Sequence, residues 1–248
     1  MRDKKTKARI RVGITGATGK MGRILQELIQ NDPVWKTRYM LVFAVSGPQD
    51  PTFHTLERER PDVLIDFSNP QSTLGVAKLA AELKIPMLVG TTGFSKLESE
   101  KLGRTLKRVP WILAPNTSLG VAACAEALRS ALKILPKEVV ISIIEIHHSE
   151  KKDAPSGTAK LLAHVVESAT GRTDLQTTSI RGGTEAGEHR IILIGQGERL
   201  EIVHRAANRT VFAHGALRLA LRLLELKART TPYTVRELVN SGGAAANI

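Results

Sequence analysis

The sequence predicts an α/β protein in two parts, an N-terminal parallel sheet wound with helices and a second domain of α+β type. Three observations point there. Short apolar strands alternate with helical stretches over residues 1–118, a glycine-rich turn joins the first strand to the first helix, and after Gly120 the alternation gives way to strands separated by glycine turns. The change of pattern predicts one domain of residues 1–118 with 215–248, the last helix packing back onto it, and a second of residues 119–214.

The elements follow in order. Arg9 to Thr15 reads as a β-branched strand, and Gly-Ala-Thr-Gly-Lys-Met-Gly then turns the chain into a helix with apolar periodicity from Ile24 to Ile29. Buried strands fit Met40 to Val45 and Asp62 to Phe67, the latter closed by Ser68-Asn-Pro70 and followed by a helix from Thr73 to Leu83. Pro86 to Gly90 and Trp111 to Ala114 complete five strands whose connections demand a parallel sheet. Beyond Gly120 come a helix (Val121 to Leu135), a strand (Glu138 to Ile146), a helix (Gly157 to Ala169), and strands at Thr177 to Arg181, His189 to Ile194 and Arg199 to Arg205. Ala213 to Leu226 is helical, and the tail from Asn240 to Ile248 lacks a core-forming pattern.

Composition narrows the function classes. With 248 residues, 42% of them hydrophobic and 24% charged, the chain can bury a sizeable core, and no apolar run approaches the roughly 18 residues needed to span a bilayer. No membrane partner is expected. The basic N-terminal arm is not followed by the apolar segment of an export signal, and a lone cysteine, Cys124, suits a reducing compartment, so a cytoplasmic location is expected. The net charge of +12 favours anionic partners, but the basic residues are dispersed and only 4% of residues are aromatic, which argues for small anions and against nucleic acid.

Gly13, Gly16, Gly19 and Gly22 fall three apart between strand and helix, where glycine lets the backbone turn sharply and approach a pyrophosphate at a helix N-terminus. The first domain is therefore read as a Rossmann-type dinucleotide-binding domain, although the spacing is GxxGxxG rather than GxGxxG. Met21 stands where a Walker loop needs Ser or Thr, which disfavours nucleotide hydrolysis. After the second strand, Ser46 occupies the place where an NAD site carries a carboxylate for the ribose. A hydroxyl there and Lys20 in the turn favour NADPH over NADH.

The chemistry is expected in Glu145-Ile-His-His-Ser-Glu-Lys-Lys-Asp-Ala-Pro-Ser-Gly-Thr158. His147 and His148 can give protons near neutral pH, Lys151 offers a point charge, and Ser156-Gly-Thr158 opens a helix where a carboxylate could dock. The same segment also reads as an ordinary capped helix start. No metal site is expected, since His164, His189, His204 and His214 are scattered without ligand spacing.

These residues resemble the dihydrodipicolinate reductase family, also called 4-hydroxy-tetrahydrodipicolinate reductases, of lysine and diaminopimelate biosynthesis. The motifs are Val12-Gly-Ile-Thr-Gly-Ala-Thr-Gly-Lys-Met-Gly22, Asp66-Phe-Ser68, Val89-Gly-Thr-Thr-Gly-Phe94, Ala114-Pro-Asn-Thr-Ser-Leu-Gly-Val121, Glu145-Ile-His-His148 with Lys151, Asp153-Ala-Pro-Ser-Gly-Thr-Ala159 and Gly187-Glu-His189. The resemblance implies cofactor contacts from Gly16, Ala17, Thr18, Gly19, Lys20 and Met21, from Gly90, Thr91 and Thr92, and from Ala114, Pro115, Asn116 and Thr117. It further implies that His147 donates a proton, Lys151 acts as second acid or charge stabiliser, His148 touches the substrate, and Gly157 with Thr158 clamps a substrate carboxylate. The implied reaction is NADPH- or NADH-dependent reduction of a cyclic unsaturated dicarboxylate, with hydride going to C4 and a proton to C3, in a homotetramer. The departures are Ser46 and Gly47 in place of an acidic residue, a short connection from Pro48 to Arg60, and Thr117 where an aromatic residue is more usual. A non-catalytic NADP-binding regulator and a reductase of another small dicarboxylate are the competing readings. The first would have no use for His147, Lys151 and the Gly-Thr pair together.

Overall fold

A computed structural model describes residues 8–47 and 53–240; most of the basic arm, the first part of the Pro48 to Arg60 connection and nearly all of the expected unstructured tail lie outside them. The chain divides into two compact units, one of Met1–Thr117 with Phe212–Ile248 and one of Ser118–Val211.

The first unit contains β1 (Ile10–Thr15), α1 (Lys20–Asn31), α2 (Trp35–Arg38), β2 (Tyr39–Val45), α3 (Phe53–Glu59), β3 (Val63–Asp66), α4 (Pro70–Leu83), β4 (Met87–Val89), α5 (Lys96–Leu106) and β5 (Trp111–Leu113). All neighbouring strands are parallel, in the order β2-β1-β3-β4-β5. The chain reverses its direction of travel between β1 and β3, and such a switch leaves a crevice beyond the carboxyl ends of the two strands. β3 and β4 are buried throughout, which is why they read as unbroken apolar runs, whereas the edge strand β2 is half-buried along most of its length. Local chemistry fixes the helices. Asn69 caps α4 by accepting the Ser72 N–H, with Pro70 at its first position, and Ser95 and Glu98 form a reciprocal capping box on α5.

Asp66 closes β3 and is fully buried. Its carboxyl oxygens accept hydroxyls from Thr15 (2.5 Å), Ser68, Thr73 and Thr91 (2.6 Å each). One side chain thus gathers the end of β1, the turn after β3, the first turn of α4 and the loop after β4.

The second unit comprises α6 (Leu119–Ile134), β6 (Val140–His147), α7 (Gly157–Thr170), β7 (Gln176–Arg181), β8 (Glu188–Ile194) and β9 (Arg199–Arg205), with strand order β7-β6-β8-β9. The β6–β7 pair is parallel and the other two are antiparallel, so the sheet is mixed. Cys124, Ala125 and Leu128 of α6, Leu162, Val165 and Val166 of α7, and Ile143, Ile191 and Leu193 of the sheet form one core. The chain then returns through α8 (Thr210–Leu223) to α9 (Val235–Asn240), and the first unit holds α8 through the Tyr39 hydroxyl, which donates to the Leu217 carbonyl at 2.7 Å.

Candidate active site

In the second unit, the alternation of β6 builds the site. Ile141, Ile143, Glu145 and His147 are buried on the side covered by α6 and α7, so a row that begins as aliphatic core ends in a carboxylate and an imidazole. The register extends that change across the sheet. Ile143 lies opposite Thr177 and Ile191, and one rung further Glu145 lies opposite Ser179 and His189, with His189 opposite His204. Polar groups on adjacent strands of one face are neighbours, so this rung is a built polar layer on top of an apolar one.

Glu145 is completely buried and its oxygens are fully engaged. One accepts from the Arg181 guanidinium at 2.7 Å and from the Ser156 N–H at 3.3 Å; the other is hydrogen-bonded to His147 Nδ1. Arg181 also donates to the carbonyls of Asp153 (2.6 Å) and Lys151 (3.3 Å), which sets the path of the segment between His148 and Ser156. Ser156 caps α7 by accepting the Ala159 N–H at 3.1 Å, and its hydroxyl lies 3.0 Å from His189 Nε2. Gly157 and Thr158 therefore open a helix whose start is tied to Glu145 and His189.

Lys151 pairs with Asp153 at 2.7 Å. His148, just past the end of β6, donates its N–H to the Glu185 carbonyl and brings Nε2 to 3.3 Å from Arg209. The two adjacent histidines thus take different surroundings: His147 stays on the buried face of the strand and His148 leaves it.

Charge follows from these partners. Burial opposes ionisation of Glu145, but hydrogen bonds from Arg181, Ser179 and His147 outweigh it and bring its pKa down to about 2. Burial pulls His147 below the ordinary histidine value; Glu145 pushes it back up, while Lys151 and Arg181 push it down. His189 falls to about 4, chiefly through burial and then through His147. Glu145, His147 and His189 place ligand-type atoms within 4.8 Å of one another, so the fold assembles a grouping that linear spacing had not suggested. Arg181 already pairs with the carboxylate and His147 Nδ1 already faces its other oxygen, so the donor set is that of a hydrogen-bonded network rather than an ion cage.

The residues proposed for the cofactor sit at strand ends of the first unit. Gly16 turns with φ +78°, and a side-chain carbon there would stand 2.1 Å from the Phe67 carbonyl oxygen, so only glycine fits. α1 begins at Lys20 with Gly19 as its cap and no side chain satisfying the first turn, which leaves donors of the kind an anion takes. Thr18, Gly19, Lys20, Thr92 and Pro115 are exposed; Met21, Ser46 and Asn116 are half-buried; Gly16, Ala17, Gly90, Thr91, Ala114 and Thr117 are buried. Two of the buried side chains are committed elsewhere, Thr91 to Asp66 and Thr117 to the Phe212 carbonyl at 2.6 Å. Ser46 accepts the Thr18 N–H at 2.9 Å, joining the end of β2 to the glycine turn.

Sequence reasoning assigned no role to Arg181, His189, Arg209 or Asp66. Glu145, Asp66 and His189 were visible inside motifs, but Arg181 lies 36 residues from Glu145 and His189 lies 33 from Ser156, and only the strand register brings them together.

The family model for the dihydrodipicolinate reductase N-terminus matches residues 10–117, and that for the C-terminus matches residues 120–239. The 4-hydroxy-tetrahydrodipicolinate reductase of Bdellovibrio bacteriovorus is 36% identical, over 93% of this chain and 96% of that protein. The Acinetobacter baumannii enzyme of the same name is 35% identical, over 88% and 93%. A dipicolinate-bound dihydrodipicolinate reductase from Paenisporosarcina sp. TG-14 shares the fold with a TM-score of 0.76 at 22% identity, covering 90% of this chain and 97% of that one. With both halves matched in order along nearly its full length, the chain belongs to the dihydrodipicolinate reductase family.

Proposed function

We infer that this chain reduces 4-hydroxy-tetrahydrodipicolinate to tetrahydrodipicolinate with a nicotinamide dinucleotide. Among the structural observations, the one that carries the reading is the Glu145–His147 pair beside Lys151 and the start of α7. The glycine turn supports the cofactor: Gly16, at positive φ and against the Phe67 carbonyl, lets the chain turn sharply into α1, whose uncapped first turn suits a pyrophosphate. Loss of the 4-hydroxyl as water leaves the unsaturated ring, and the nicotinamide, when bound, would supply hydride to its C4. Lys151 stabilises the negative charge that this sends toward the ring nitrogen, and His147, in its protonated form, delivers the proton to carbon. Gly157 and Thr158 hold a substrate carboxylate at the start of α7, and His148, paired with Arg209, adds a contact from the end of β6. The test is loss of reduced-cofactor absorbance when substrate is made in situ by a synthase from pyruvate and aspartate semialdehyde. Absence of turnover with both cofactors would refute the assignment.

NADPH is the proposed preference. Ser46 places no carboxylate beside the ribose, and the exposed Lys20 can meet a 2′-phosphate. Titrations followed by fluorescence should give tighter binding of NADPH than of NADH, and Lys20→Ala should erode that difference by about five- to tenfold. Equal losses for both cofactors would remove Lys20 from that role.

The proposed assembly is a homotetramer. The sheet face turned away from α6 and α7 carries Val140, Ile144 and Ile146 on β6, Ile180 on β7, Ile192 and Ile194 on β8, and Val203 on β9. The same face carries the ion-paired Glu188, Arg190, Arg199, Glu201 and Arg205, and a face of mixed apolar and charged groups is what a subunit contact can cover. Sedimentation velocity should show a species near four times the chain mass; a monomer at micromolar concentration would overturn it.

A further inference from the structure

An imidazole delivers a proton only from the nitrogen that meets the substrate, and the partner of the other nitrogen decides which one that is. We propose that Glu145 is a positioning residue for the reaction, holding a proton on His147 Nδ1 so that Nε2 is the nitrogen that exchanges a proton with the substrate. The proposal rests on the reductase reading above.

Three observations carry it. Glu145 is wholly buried, with one oxygen occupied by Arg181 and Ser156 and the other facing Nδ1. Ionised by those donors, the carboxylate can only accept, so the proton between it and His147 belongs to the ring. No side chain covers Nε2 from Gly187, which passes it with φ +150°: a side-chain carbon there would lie 3.0 Å from Nε2 and 3.2 Å from Cδ2. The His189 ring, secured by Ser156, stands edge-on to His147 with centroids 5.1 Å apart at 74°, which restrains the tilt of the imidazole.

The charges facing His147 are Glu145 from β6, Arg181 from β7, His189 from β8 and Lys151 from the segment before α7. Only Glu145 favours the imidazolium. Turnover uses the protonated ring, so it falls as pH rises through the His147 pKa, and removing the carboxylate charge moves that fall to lower pH.

Two measurements on the full-length protein test this. Nitrogen-15 spectra of the histidine rings at alkaline pH, with His147 assigned by His147→Gln, should report the Nδ1–H tautomer; an Nε2–H tautomer overturns the proposal, whether or not turnover is observed. In Glu145→Gln the midpoint of the alkaline fall in kcat should move down by about one pH unit or more, with the KM for cofactor unchanged, and Glu145→Asp should restore part of the shift. A purely structural role would lower the yield of active enzyme without moving the midpoint, and an unmoved midpoint beside an active wild type refutes the proposal. If Glu145→Gln does not fold, the ring tautomer of the wild type decides. A wild type without turnover would sink the reductase reading instead, and the tautomer would still settle the position of the proton.

Discussion

Replacing His147 with Gln should lower kcat by about 10²- to 10⁴-fold, the usual share of a positioned general acid, while the dissociation constant for the reduced cofactor stays within about twofold. Glutamine keeps a polar group facing Glu145, so the carboxylate is not stranded, but its amide has no proton acidic enough to transfer to carbon. Lys151→Ala should lower kcat by a similar order, because an uncharged side chain cannot balance charge that develops during reduction. The separation of effects is the informative part: the residues proposed for the cofactor lie in the first unit, while His147 and Lys151 belong to the second. Steady-state rates alongside a fluorescence titration check it, and an equal loss of cofactor binding would contradict both roles.

The second large effect concerns Gly16→Ala. A methyl group would enter 2.1 Å from the Phe67 carbonyl at a φ of +78°, so either the turn or the end of β3 must move. Displacement of about an ångström at a positioning element can cost on the order of 100-fold, and cofactor affinity should fall by that order. The positive φ adds roughly 1–2 kcal/mol of conformational cost, which should lower the melting temperature by about 2–8 °C. Calorimetry with and without cofactor separates the two contributions. A variant that binds cofactor normally would show that the turn tolerates a side chain and would remove the pyrophosphate reading.

The five strands of the first unit were legible because each is a short apolar run closed by turn residues, and a buried parallel sheet writes itself that way. The second sheet was legible as four strands but not as a pairing. The parallel placement of β7 beside β6 depends on α7 crossing between them, and the four-strand order depends on which edges remain to pair. The short helices α2 and α3, the capping-box helix α5 and α9 escaped notice. Trp35–Arg38 spans one turn, and α5 hides only Leu102 and Leu106 within a mostly polar stretch. Of the site, His147, His148, Lys151 and the start of α7 were readable because they are close in sequence. The groups that govern them were not, because Arg181, His189 and Arg209 reach them through strand register and chain return, which leave no local signature.

Asp66 has a consequence for anyone altering cofactor use. Its two oxygens serve hydroxyls from four separate segments, so each segment is built to the position of an acceptor that it does not itself carry. A loop transplanted singly from a relative, to change nucleotide preference at the glycine turn or after β4, would bring a hydroxyl shaped to a different hub or leave an Asp66 oxygen without one of its donors. Thr15, Ser68, Thr73 and Thr91 therefore form a cassette with Asp66, to be exchanged whole or kept whole, while Ser46 and Lys20 stand outside it and can be varied one at a time.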